Sequence, residues 1–99
     1  MTDTRNRITL TVKSFATLRE VMDAQISVDL PPGATIRSLL AELTGRYQGL
    51  GELIFAAPDT LWDFVNILKN GRNVEFLGRL DTPLEDGDLI ALFPPLAGG

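Results

Sequence analysis

A chain of 99 residues with 44% hydrophobic content has the size and composition of one domain around one core, because two domains of half that length would each bury too little apolar surface. Thirteen acidic against nine basic residues leave a net charge of -4, which sets the average surface against phosphate backbones and anionic membranes and makes nucleic acid a poor partner. With no cysteine and no histidine, the chain lacks the usual thiolate nucleophile, the usual neutral-pH acid-base group and the strongest ligands for zinc or iron-sulfur centres.

The N-terminal segment Met1 to Arg7 is polar, and no stretch has the apolar length of a signal peptide or a membrane-spanning helix, so a cytoplasmic protein with no membrane partner is expected. Ile8, Leu10 and Val12 alternate with Thr9, Thr11 and Lys13, the period of a half-buried strand. Ile26, Val28 and Leu30 repeat that period, and the two segments read as a hairpin whose connection lets Phe15, Leu18 and Val21 dip back into the core. Pro31-Pro32-Gly33 forces a turn, since proline lacks a donor N–H and glycine loosens the backbone.

A helix is expected next, with Thr35 as its N-cap and Ile36, Leu39, Leu40, Leu43 and Tyr47 on one stripe, ended by Gly45 or Gly49. From Gln48 to Phe64 no period is clean, yet the stretch holds Leu53, Ile54, Phe55, Leu61, Trp62 and Phe64. It reads as a packed loop with one short helical turn, and Phe55, Trp62 and Phe64 read as core residues more readily than as a binding site, with one of them left exposed for docking as the alternative. Val65 to Lys69 and Asn73 to Leu77 read as strands joined at Asn70-Gly71, the pair that best accepts the two positive φ angles of a type I′ turn. After the turn Asp86-Gly87-Asp88, the continuous apolar run Leu89 to Phe93 predicts a central strand beside and parallel to the first, or one covered on both faces.

Two strands, one helix and three further strands give an α+β protein of the β-grasp arrangement, a mixed sheet of four to five strands covered by one main helix. Residues 1–93 are expected to form this domain and residues 94–99 an extended tail.

That tail, Pro94-Pro95-Leu96-Ala97-Gly98-Gly99, is where the chemistry is expected. Two prolines prevent the sheet from continuing and favour an extended chain, so six residues reach roughly 19 Å at about 3.1 Å each. Two glycines without side chains pass through a channel too narrow for other residues. The reactive group is then the carboxylate of Gly99. Being a poor electrophile, it must first be joined by an activating enzyme to AMP from ATP, after which a sulfur donor or an amine displaces the nucleotide. A thiocarboxylate formed in this way is a soft, exposed sulfur nucleophile, and the chain itself needs no bound cofactor and no metal.

Other groupings carry less. Asp81, Glu85, Asp86 and Asp88 are close in sequence, but they lack the spacing of a calcium loop, and turn formation accounts for Asp86-Gly87-Asp88. Lys69, Arg72 and Arg79 make a thin basic patch, read as a solvated edge before a surface that meets an acidic partner. Phe93, the last residue before the prolines, is expected half in the core and half on the surface that guides the tail into a partner.

These residues resemble the MoaD/ThiS sulfur carriers, ubiquitin-like β-grasp proteins that end in Gly-Gly, and within them the small subunit of molybdopterin synthase, MoaD. The likeness is strongest at Leu84-Glu85-Asp86-Gly87-Asp88 and at Phe93 to Gly99. It continues in Phe15-Ala16-Thr17-Leu18-Arg19-Glu20 and in Val65-Asn66-Ile67 with Asn70-Gly71, and is weakest across Gln48 to Asp63. The resemblance implies that a MoeB-like adenylating enzyme activates Gly99 with ATP, that a sulfur donor protein supplies sulfur, and that the tail enters a MoaE-like large synthase subunit to build the dithiolene of the molybdenum cofactor. It further implies that Gly98 permits passage and that Phe93, Pro94, Pro95, Leu96 and Ala97 contact the partners. The longer stretch from Gln48 to Phe64 resembles instead carriers for cysteine synthesis and archaeal-type protein modifiers. Carriage to cysteine, thiamin or tRNA thiolation, conjugation to lysines, and an inert-tailed interaction module are therefore the competing readings.

Overall fold

The alternating segments build the centre of the sheet. In this computed structural model, which describes residues 7–95, β1 (Ile8–Ser14) pairs antiparallel with β2 (Gln25–Leu30), from Ile8 opposite Leu30 to Lys13 opposite Gln25. The connection forms a 3-10 turn over Ala16–Glu20 that buries Leu18, and Met22 follows it into the core. Phe15 and Val21 stay half-buried.

Helix α1 (Ile36–Arg46) starts on a capping box. Thr35 Oγ1 accepts from the Ser38 N–H at 3.4 Å, and Ser38 Oγ accepts from the Thr35 N–H at 3.1 Å, so two otherwise orphaned donors are satisfied. Ile36, Leu39, Leu40 and Leu43 are fully buried, each contributing about 1.5–3 kcal/mol by leaving water. Gly45 does not end the helix. It lies one residue inside, exposed, and the chain turns extended at Tyr47. The Tyr47 hydroxyl donates to Asp23 Oδ2 at 3.1 Å. Desolvation, reinforced by that hydrogen bond, holds the phenol pKa above its ordinary value.

The stretch expected to be a packed loop is more ordered than its sequence announces. It contains the short helix α2 (Leu50–Ile54) and then a hairpin of β3 (Phe55–Ala57) and β4 (Thr60–Leu61) that forms its own two-stranded sheet. Strands of three and two residues are too short to print a period, which is why they are missed. Val65 is not part of the next strand: β5 spans Asn66–Lys69 and pairs with β6 (Arg72–Asn73). Asn70 and Gly71 between them both have positive φ, 51° and 86°. The strand expected to run to Leu77 stops at Asn73, because Asn73 Oδ1 accepts from the Glu75 N–H at 2.8 Å and starts a 3-10 turn over Val74–Phe76.

Strand β7 (Leu89–Phe93) completes the order β2-β1-β7-β5-β6, parallel to β1 and antiparallel to β5. This is a mixed five-stranded sheet with one main helix, the ubiquitin-like β-grasp. Ile90 and Leu92 point into the core with Leu10, Val12 and Ile67, all buried. The outer face differs from a strand covered on both sides, since Leu89 is 38% exposed and Ala91 and Phe93 are only half-buried. The run is apolar on both faces although one of them meets solvent. Among the described residues no helix is long and apolar enough to cross a membrane.

Candidate functional site at the end of the last strand

The N-terminal end of β7 is fastened by polar groups. Asp88, buried, accepts from the Glu85 N–H at 2.7 Å and from the Asn70 side-chain amide at 2.9 Å. Asn70 Oδ1 accepts from the Leu89 N–H at 2.8 Å. Lys69 Nζ donates to the Pro83 carbonyl at 2.7 Å and lies 3.6 Å from both Asp88 and Glu85. Asp86 Oδ1 accepts from the Thr9 N–H at 2.8 Å. These carboxylates hold the turn, and Asp81 pairs with Arg37 instead. Of the basic residues Lys69, Arg72 and Arg79, Lys69 is engaged here and Arg79 pairs with Glu75 at 3.1 Å.

The C-terminal end of β7 is apolar and aromatic. On the outer face the Phe93 ring stacks on Phe15 with centroids 4.4 Å apart and planes 7° apart. Arg19 lies over the Phe15 ring, its guanidinium carbon 5.2 Å from the centroid, while its Nε donates to the Ser14 carbonyl at 2.9 Å. Offset stacking and cation-aromatic attraction together hold Phe93 in place while leaving it half-exposed. Pro94 turns back to the core side and is buried, and Pro95 is half-buried. Both line a groove of about 450 Å³ with Leu53 and Trp62, rimmed by Thr17, Glu52 and Asp63.

The structure thus brings Phe93, Pro94 and Pro95 together at the root of the tail. Leu96, Ala97, Gly98 and Gly99 lie outside the described residues. Two aromatic residues read as core are on the surface, Trp62 at 48% and Phe64 at 71% exposure. Phe55 is half-buried. Nothing in the sequence marks Phe15 and Arg19 as partners of Phe93, or Glu52, Leu53 and Asp63 as neighbours of the prolines. The one signal available was an apolar stretch with no period, which is what a surface loop carrying exposed aromatics looks like.

Residues 12–99 match the ThiS family. The chain belongs to this family of ubiquitin-like sulfur carriers. Among relatives, it is 41% identical to small archaeal modifier protein 3 of Haloferax volcanii, over 91% of this chain and 98% of that protein. It is 35% identical to the sulfur carrier protein CysO of Mycobacterium tuberculosis, again over 91% of this chain and 98% of the other. The crystal structure of the small archaeal modifier protein SAMP1 from Haloferax volcanii superposes with a TM-score of 0.80 at 34% identity, covering 92% of this chain and 99% of that one. The family match includes the middle stretch from Gln48 to Asp63.

Proposed function

We propose that this protein carries sulfur on the carboxylate of Gly99. In this reading a MoeB-like enzyme joins that carboxylate to AMP with release of pyrophosphate from ATP. Sulfide released by a sulfur donor protein then displaces AMP, leaving a thiocarboxylate. The β-grasp does none of this bond-making. It presents a rigid apolar root, from which a side-chain-poor tail reaches into the catalyst's cleft. The observation that carries the reading is the end of β7, where Phe93 is held half-exposed on Phe15 and two prolines stop the sheet immediately before Leu96 to Gly99.

The recipient is the finer question. The terminal segment's likeness to the molybdopterin synthase small subunit supports delivery to a pterin through a MoaE-like large subunit, with two rounds making the dithiolene. The full-length similarity to CysO and to the modifier proteins supports two alternatives, donation to cysteine synthesis and attachment to lysines, where an amine rather than sulfide displaces AMP. A pull-down with the C-terminus free separates these recipients by co-purifying a large synthase subunit, a pyridoxal-phosphate enzyme, or proteins whose digested lysines carry a Gly-Gly remnant. Activation itself is tested by intact-mass measurement after incubation with the activating enzyme, ATP and sulfide. One oxygen-for-sulfur exchange located on the C-terminal peptide is expected, and an unchanged mass removes the basis of the proposal.

A further inference from the structure

The groove beside Pro94 and Pro95 has a chemical character of its own. Trp62 is the chain's only tryptophan. Its Nε1–H donates to the Glu52 carbonyl at 2.9 Å and its backbone N–H to the Ile54 carbonyl at 2.9 Å. With both donors taken up, the half-exposed indole offers the groove only its carbon surface. The loop that follows is held in an uncommon shape, since Phe64 has φ 71°, a left-handed backbone that bulky residues rarely adopt. The rim carries two exposed carboxylates, Glu52 and Asp63. The ion pairs among the described residues are made by Arg37, Arg46, Lys69 and Arg79 and involve neither of them.

An apolar floor of Leu53 and proline, an aromatic wall and two carboxylates on the rim are complementary to one side chain above others. The arginine stem covers apolar surface, its guanidinium lies flat on an indole, and its edge donates to carboxylates. We infer that this groove receives an arginine presented on an apolar segment of the enzyme that works on the C-terminus, so that Glu52, Trp62 and Asp63 help decide which partner the tail enters. The inference rests on the sulfur-carrier reading for the identity of that partner. Position argues for it as well as charge: under the sulfur-carrier reading the reacting Gly99 is four residues beyond Pro95, at most about 12 Å away, so a catalyst that grips it works within reach of this groove.

Because Trp62 is the sole tryptophan, its fluorescence reports the groove directly. Titration of the full chain with acetyl-Leu-Arg-Leu-amide should give a saturable change, weakened about tenfold in the double variant Glu52→Gln, Asp63→Asn, and much weaker for the same peptide with norleucine in place of arginine. No saturable change overturns the inference. Equal binding of the norleucine peptide overturns it too, as does a signal that grows with protein concentration alone and so marks a second copy as the occupant. With the activating enzyme, the double variant should raise KM about tenfold at unchanged kcat, while its thermal unfolding matches that of the unaltered chain. An unchanged KM contradicts the inference. If the unaltered chain is not adenylated at all, it is the carrier reading that fails, and the peptide titration still decides the character of the groove.

Discussion

The two ends of β7 are built from opposite materials. At Leu89 the strand is entered through a lattice of charged and amide groups, with Asp88, Asn70 and Lys69 bonding to one another and to the backbone. At Phe93 it leaves through stacked aromatics on one side and a proline-lined groove on the other. A polar lattice built around a buried carboxylate fixes register and tolerates little change, whereas an apolar surface left half-open keeps free energy in reserve for whatever covers it. The first end anchors the strand, and under the proposed function the second is the one a partner covers.

Substitutions should separate these roles, and the largest loss belongs to the strand both ends share. Leu92→Ala removes a fully buried side chain between them and is expected to cost about 2–5 kcal/mol in chemical denaturation, loosening both ends together. Asp88→Ala strips the Glu85 N–H, the Asn70 amide and Lys69 of their shared acceptor. Its expected cost is about 1–3 kcal/mol, with the rate of activation at saturating enzyme unchanged as long as the chain is folded. Phe93→Ala reverses that pattern. Losing the ring from a half-exposed stack should lower stability by only about 1–2 kcal/mol, yet raise the KM for the activating enzyme tenfold or more. An Asp88 variant that impaired partner binding as much as Phe93→Ala would dissolve the distinction.

Tyr47, which belongs to neither end, gives the smallest effect. A phenol pKa raised in the folded chain means that the folded state keeps a proton the unfolded state releases. Stability is therefore intact below the ordinary tyrosine value of about 10 and falls as pH rises through it. Tyr47→Phe should cost under about 1 kcal/mol at neutral pH and flatten that alkaline decline in urea titrations at successive pH values.

The anchoring end was largely readable in the sequence. Asn70-Gly71 and Asp86-Gly87-Asp88 are short-range turn signals whose outcome depends on a few neighbouring residues, and β1, β2 and α1 announce themselves by period. The apolar end was readable in part. The prolines, the glycines and Phe93 stand out because they break a pattern, but Phe15 and Arg19 meet Phe93 only through the pairing of β1 with β7. Glu52, Leu53 and Trp62 reach the prolines through the fold of a segment with no period. Trp62 and Phe64 stand exposed against expectation, because a residue's hydrophobicity reports its preference for burial and not whether the fold around it supplies a covering neighbour.

The account depends on the carboxylate of Gly99 being the group that reacts. ATP–pyrophosphate exchange by the activating enzyme measures this step before any sulfur is transferred. Exchange is expected with the unaltered chain and is expected to vanish when a single alanine is added after Gly99, with the fold intact by circular dichroism. Equal exchange from the two chains, with the added residue still present by mass, would contradict it.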